Sequence, residues 1–157
     1  YRENPPDLVI GDDDILFFDF GPVFEDWEAD LGRTYVLGTD ADKLRLQSDI
    51  EACWWLGKAH FDGDPDITGS EMRAFVVGLA TERGWEYAQA HCGHLIGNFP
   101  HERILGDEVV NYIHPDNHGR MRDPGIDGQP RDWILEIHFI DRAAQIGGFF
   151  EQLLTVD

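Results

Sequence analysis

The sequence predicts an α+β domain whose sheet is antiparallel or mixed. Three observations lead to this prediction. The chain has 157 residues, which is the size of one domain with a substantial buried core. Its hydrophobic content of 42% is typical of a globular protein. Candidate elements then follow in the order of a strand pair, two helices and a strand-rich end, an order that favours α+β.

The strand pair comes first. Residues 15–20 (ILFFDF) form a short apolar run rich in aromatic residues and bounded by glycines, which is typical of a buried strand. Residues 33–37 (RTYVL) predict a second strand that ends at Gly38. The two strands are close enough in the chain to form a hairpin-like pair.

Two helices follow. Asp40 is a suitable N-cap for a long helix over residues 41–60. After the turn-rich segment FDGDPDITG, Ser70 is expected to cap a second helix that runs to Glu82 and stops at Gly84.

The last third of the chain predicts a loop and two strands. Residues 106–131 are rich in Gly, Pro, Asp and Asn, as in a long functional loop. Residues 133–141 (WILEIHFID) alternate as a strand does, and Gly147-Gly148 leads into a final strand over 149–156.

The composition is strongly acidic, with 31 Asp and Glu against 12 Lys and Arg and a formal net charge of −19. Such a chain repels phosphate backbones and anionic lipid surfaces, so we expect neither nucleic acid nor membrane as a partner. No apolar run has the length of a membrane span and no signal pattern opens the chain, so the cytoplasm is the expected location. Two explanations of the acidic excess stay open: the carboxylates keep the chain soluble, or some of them converge on cations.

Asp19 and Asp30 are the first candidates for a cation site. Asp19 interrupts the apolar strand ILFFDF, where an ionised carboxylate needs a partner. Asp30 stands just before the strand RTYVL, so a hairpin-like return would bring both carboxylates to one end of a sheet. The alternative is a strand-end Asp whose oxygens accept backbone N–H groups, and the residues alone leave both open.

A histidine-rich segment, HCGHLIGNFPHER, is the second candidate. A structural zinc site needs four closed ligands, and no CxxC pair is present to complete one. The glycines at 93 and 97 permit close backbone approach. We expect His91 to be an ordinary hydrogen-bonded loop histidine, and His94 and His101 to be functional.

Glu136 and Glu151 complete the set of candidates. Each is an acid among bulky apolar residues of a predicted strand, in WILEIHFID and GGFFEQLL. Together with Asp19 they place a carboxylate in three apolar strands, which a shared cation cluster explains better than three solvated faces do.

The order and context of these residues resemble the M24 or "pita-bread" metallopeptidases, which include methionine aminopeptidases, Xaa-Pro aminopeptidases, prolidases and creatinase. That family has an Asp in a DFG-like strand end and a second Asp eleven residues later, before an RT-hydrophobic strand. It then has a GHxIG-type histidine, another histidine seven residues on, and two Glu in late strands. The matching positions are Asp19, Asp30, His94, His101, Glu136 and Glu151.

The resemblance implies a pita-bread fold with a curved, largely antiparallel sheet and flanking helices. It also implies two divalent ions, whose identity (Mn, Co, Zn or Fe) it does not fix, that activate a water against an N-terminal peptide bond. Glu136 would also carry the proton and His101 would contact the substrate. The implied metal ligands are Asp19, Asp30, His94, Glu136 and Glu151.

Several expectations stay open beside this one. His138 stands near Glu136 where the family usually has a Pro-Gly or Pro-Met turn, and the family's catalytic domain begins further upstream. We therefore expect residues 1–157 to form a single catalytic domain that is incomplete at its N-terminus, with an open sheet edge at residues 15–20. The substrate is a peptide or a small non-peptide amide, and a homodimer is left open. The remaining alternative is a catalytically inactive binding module.

Overall fold

The computed structural model describes residues 7–97 and 108–155. It contains seven strands and two α-helices within these ranges. In chain order the strands are β1 (Ile15–Phe20), β2 (Val23–Phe24), β3 (Trp27–Glu28), β4 (Leu31–Val36), β5 (Glu86–Tyr87), β6 (Ile134–Asp141) and β7 (Ile146–Leu153). The helices are α1 (Ala41–Gly63) and α2 (Gly69–Glu82).

Five of the strands form one sheet in the order β1-β4-β7-β6-β5, and all of its paired strands are antiparallel. The predicted pairing of the first two long strands is confirmed, and β2 and β3 form a small hairpin in the connection between them. The final strand begins at Ile146, so the glycine pair lies inside the strand and does not precede it. The reason is close packing, since a Cβ at Gly148 would lie 2.5 Å from Cδ1 of Ile50 on α1.

Both helices begin after a side-chain cap. Asp40 accepts hydrogen bonds from the backbone of the first turn of α1, as predicted. The prediction for α2 was wrong by two residues, because Thr68 is its N-cap and Ser70 lies in the first turn. Thr68 and Glu71 form a reciprocal capping box, which satisfies two backbone donors that a cap at Ser70 would leave exposed. Gly84, with φ of +79°, follows the helix end as expected.

The helices cover one face of the sheet, where the core lies. Trp54 of α1 is buried, packs against Phe150 of β7 and donates its indole N–H to the carbonyl of Leu135 at 3.0 Å. Because side chains alternate along a strand, the neighbours of Leu135 and Phe150 point to the other face. That second face carries the side chains of Glu136 and Glu151. Neither described helix is long and apolar enough to cross a membrane.

The strand β1 is apolar but mostly exposed, so the prediction of a buried strand at residues 15–20 was wrong, because β1 lies at the edge of the described sheet. Its inner side pairs with β4, and no described strand pairs with its outer side. Phe17, Phe18 and Phe20 are 56%, 42% and 51% exposed. The open edge expected at residues 15–20 is thus present among the described strands, and apolar edges of this kind are usually covered.

Residues 108–131 are irregular apart from a short 3-10 helix over Val109–Asn111. This part of the predicted long loop is held by turns and by backbone hydrogen bonds to the 92–96 segment and to α2. The beginning of the loop lies outside the described residues.

Candidate metal centre

Sheet register places three of the predicted acids in one row. Asp19 on β1 is opposite Gly32 on β4, Gly32 is opposite Glu151 on β7, and Glu151 is opposite Glu136 on β6. Residues directly opposite each other in antiparallel strands project to the same face, with Cβ atoms about 5 Å apart. The three carboxylates therefore share the face that the helices leave uncovered.

Gly32 leaves the middle of this row without a side chain. A Cβ there would lie 2.0 Å from the ring of Phe149, which leans over the glycine. Any larger residue would push Phe149 aside, and Phe149 is on the same strand and face as Glu151. Gly32 thus maintains the packing beside the carboxylates.

His94 is brought to Glu136 by a short irregular segment that runs along the start of β6. The backbone N–H of Glu136 donates to Cys92 at 3.0 Å, and that of Ile134 donates to His94 at 2.9 Å. Gly93 lies between them with φ of +141°, and a Cβ there would be 2.0 Å from the carbonyl oxygen of Ile134. The segment therefore needs glycine at this position to approach the sheet.

The imidazole of His94 has a defined orientation. Its Nδ1 lies 2.9 Å from the carbonyl oxygen of Leu95, which can only accept, so Nδ1 carries the proton in this contact. In the neutral ring Nε2 then holds the lone pair, and it lies 3.3 Å from Oε1 of Glu136 and 3.7 Å from Oδ2 of Asp30. In metal-binding histidines the ring nitrogen that does not hold the metal usually donates its N–H to a nearby oxygen, as Nδ1 of His94 does here.

Asp30 reaches the same point from the β2–β3 hairpin. The hairpin turns at Glu25 and Asp26, which have φ of +47° and +74°, and the backbone N–H of Ala29 then donates to Pro22 at 2.9 Å. The side chain of Asp30 is 10% exposed. Asp30, His94 and Glu151 each offer one ligand atom, and these atoms all lie within 4.8 Å of one another.

Glu151 shows that this cluster carries an excess of negative charge. The residue is 3% exposed. Burial, followed by the charges of Glu136 and Asp30 and a hydrogen bond with Asp30, raises the pKa of Glu151 to about 10. Its Oε2 atom is buried and makes no hydrogen bond. A cation beside these oxygens would offset the repulsion among the carboxylates and would give the buried Oε2 atom a partner, so the donor set fits divalent ions.

Glu136 has the opposite electrostatic character. Burial raises its pKa, but the hydrogen bond with His138 and the neighbouring His94 ring outweigh burial and hold the pKa below the usual value. Oε2 of Glu136 lies 2.9 Å from Nε2 of His138. Two acids that face each other across adjacent strands thus differ in protonation at neutral pH, Glu136 ionised and Glu151 protonated.

The structure thus brings together four of the five predicted ligands, Asp30, His94, Glu136 and Glu151. Asp19 is in the same row but exposed on the edge strand, where its charge contributes to the raised pKa of Glu151. His101 lies outside the described residues.

Two other histidines border this cluster. His91 is a half-buried loop residue whose Nδ1 accepts from the backbone of Gly93 at 3.4 Å, and burial lowers its pKa. His138 was not among the residues predicted for the site. The alternation of LEIHFID would have placed it there, since residues two apart in a strand share a face.

A family model and a curated relative match this chain. The model of metallopeptidase family M24 matches residues 1–125. Methionine aminopeptidase 1 of Saccharomyces cerevisiae is 28% identical over 97 residues, which cover 62% of this chain and 25% of the yeast enzyme.

Solved structures of the same kind align along nearly the whole chain. Prolidase from Thermococcus sibiricus aligns with a TM-score of 0.73 and 18% identity over 98% of this chain and 41% of that one. Methionine aminopeptidase from Rickettsia prowazekii aligns with a TM-score of 0.70 and 17% identity over 97% of this chain and 68% of that one.

These structural likenesses confirm the predicted pita-bread fold. The chain spans about a quarter of the yeast relative and two fifths of the Thermococcus prolidase. The family model covers most of its residues, and the chain belongs to metallopeptidase family M24.

Proposed function

We propose that this chain is the catalytic part of a dinuclear metal-dependent hydrolase that cleaves the N-terminal peptide bond of its substrate, as an Xaa-Pro aminopeptidase or a prolidase does. The observation that carries the proposal is the convergence of Asp30, His94 and Glu151 within 4.8 Å, with one buried Glu151 oxygen that makes no hydrogen bond. One buried and two half-buried polar groups that converge in this way are costly without a cation.

The residues that would hold the ions are four carboxylates and one imidazole: Asp19, Asp30, His94, Glu136 and Glu151. Four negative charges balance two divalent ions. Oxygen and imidazole donors suit Mn, Co, Zn and Fe, so the donor set does not choose among them. When bound, such ions lower the pKa of a shared water and polarise the scissile carbonyl.

Glu136 is the residue best suited to move the proton. In spite of its burial the carboxylate is ionised at neutral pH, so it would accept a proton from the attacking water and pass it to the leaving amine. The facing Glu151, protonated without a cation, cannot act as a base in that state. His101 would donate a hydrogen bond to the substrate carbonyl, a role that rests on the family resemblance.

An open groove on the same face offers room for the substrate. It has a volume of about 500 Å³ and is lined mainly by apolar side chains, including Phe17, Ile140 and Phe149. His138 also lines it and joins it to Glu136. The lining favours a substrate with an apolar residue next to the cleaved bond.

The test is an assay of the full-length, metal-loaded protein against a panel of peptides with varied first and second residues. We expect metal in stoichiometric amounts and release of the N-terminal residue. Glu136→Gln should lower the rate about 10²- to 10⁴-fold. The matched control is Glu51→Gln, on the exposed surface of α1, which should leave the rate unchanged.

The histidines distinguish metal binding from substrate contact. His94→Ala should lose bound metal, whereas His101→Ala should retain it and lower kcat. Equal loss of metal from both variants would show that their roles are wrongly assigned. A wild-type protein that purifies without metal and cleaves no peptide would refute the hydrolase and favour a binding module, and cleavage of small amides alone would favour non-peptide C–N bonds.

A further inference from the structure

The carboxylate of Glu136 has a different partner on each oxygen. Oε1 faces Nε2 of His94 at 3.3 Å, and Oε2 lies 2.9 Å from Nε2 of His138. An ionised carboxylate can only accept hydrogen bonds, so the ring of His138 donates. One oxygen is therefore directed toward the cluster of Asp30, His94 and Glu151, while the other is engaged by His138.

His138 is itself held in place by its neighbours. It follows Glu136 by two residues on β6 and so projects from the same face. Its ring packs against Phe149, the residue opposite it on β7, with 4.5 Å between the ring centroids. Its carbonyl accepts from the backbone of Ala88 at 3.0 Å, and its side chain is only 20% exposed.

The backbone of Glu136 is fixed at the same point. The hydroxyl of Tyr87 donates to its carbonyl oxygen at 2.8 Å, and the backbone N–H of Glu136 donates to Cys92 at 3.0 Å. With the backbone fixed on both sides, the torsions of the Glu136 side chain remain to be set. The hydrogen bond with His138 sets them.

We propose that His138 is a positioning residue that fixes the Glu136 carboxylate so that a single oxygen faces the metal ions. This inference rests on the proposed function, because it concerns how Glu136 meets those ions. Hydrogen-bond partners of metal-binding carboxylates orient the ligand, and their loss typically weakens metal affinity about 10- to 100-fold. We expect a loss of that size for His138→Ala.

The experiment is a calorimetric titration of the metal-stripped full-length protein with Mn²⁺, together with visible absorption spectra of the Co²⁺ form. His138→Ala should bind Mn²⁺ about 10- to 100-fold more weakly with unchanged stoichiometry. Its Co²⁺ spectrum should change, since a Glu136 carboxylate released from His138 can bind through both oxygens. His138→Gln, which retains a donor at similar reach, should restore most of the affinity and the wild-type spectrum.

Two further measurements make the outcome decisive. His118→Ala removes an exposed histidine that contacts Ser70 on the other side of the fold, and it should bind Mn²⁺ as the wild type does. Thermal unfolding of each metal-free variant shows whether the chain is folded before titration. If folded His138→Ala binds Mn²⁺ like the wild type, the positioning role is wrong.

Two other results would also overturn the inference. Loss of one ion per chain in His138→Ala would make His138 a ligand, and failure of a folded His138→Gln to recover affinity would exclude the hydrogen bond as the cause. A wild-type protein that binds no Mn²⁺ or Co²⁺ would instead refute the proposed function on which the inference depends.

Discussion

Replacing Glu151 with Gln should stabilise the metal-free protein, and more strongly as the pH rises. Glu151 is 3% exposed, faces Glu136 across the strand pair and accepts no hydrogen bond at Oε2. These surroundings raise its pKa from 4.5 to about 10, so the folded chain keeps a proton that the unfolded chain releases. Gln has the shape of a protonated carboxyl group but does not need to bind a proton.

The sign of the pH effect follows from proton uptake on folding. Between pH 4.5 and about 10 the folded wild type holds one proton more at Glu151 than the unfolded chain does. Its free energy of unfolding therefore falls as the pH rises through this window, by about 1.4 kcal/mol per pH unit from this residue. Between pH 6 and pH 8 the stability gained by Glu151→Gln should grow by about 3 kcal/mol.

Urea unfolding in the presence of EDTA measures this difference. Trp54 and Trp133 are fully buried, so tryptophan fluorescence reports loss of the core. Glu51→Gln is the control, and its stability should follow that of the wild type at both pH values. If Glu151→Gln and the wild type change in parallel between pH 6 and pH 8, Glu151 is ionised in the folded protein and the electrostatic account of the cluster is wrong.

Two further predictions concern backbone and capping. Gly93→Ala should lower the stability in thermal unfolding by about 1–3 kcal/mol and weaken metal binding, because its Cβ would strike the carbonyl of Ile134. Gly78→Ala is the control on α2, where the space around the glycine is open, and it should raise the stability by about 0.5–1 kcal/mol. Thr68→Ala should cost about 1 kcal/mol in urea unfolding through loss of the capping box, and Ser70→Ala should cost clearly less. Equal losses for Thr68→Ala and Ser70→Ala would contradict the observed cap.

Elements with a strong local pattern could be predicted from the sequence. The strand at residues 15–20 and the Asp40 cap of α1 have short-range causes, and the structure contains both. The burial expected for β1 is not found, because its place at the edge of the sheet depends on long-range pairing that its apolar run does not report. The cap of α2 was also readable, since Thr68 and Glu71 have the spacing of a capping box. The start of β7 could not be predicted, because a glycine pair normally weakens a strand. Here the close approach of Ile50 favours glycine at position 148 within the strand.

The candidate site could be predicted in its residues more than in its geometry. Order and residue type pointed to the acids and to His94. The way Asp30 arrives was hidden, because the β2–β3 turn places Glu25 and Asp26 at positive φ without the usual glycine or asparagine. The contact between His94 and Glu136 depends on pairing between residues far apart in the chain, which no local pattern reports.

The position of the cluster in the fold would connect the proposed metal binding to the stability of the exposed edge. Its donors come from β7, β6, the 92–96 segment and the connection before β4, with Asp19 added from β1. The edge strand β1 pairs with β4 alone among the described strands and exposes three phenylalanines, so its hydrogen bonds hold it to the sheet from one side. A cation that binds only the folded arrangement stabilises it by about 2.7 kcal/mol at a hundred times its Kd. In the proposed site Asp19 supplies a ligand from β1 itself, so part of that free energy would hold the edge strand against the rest of the sheet.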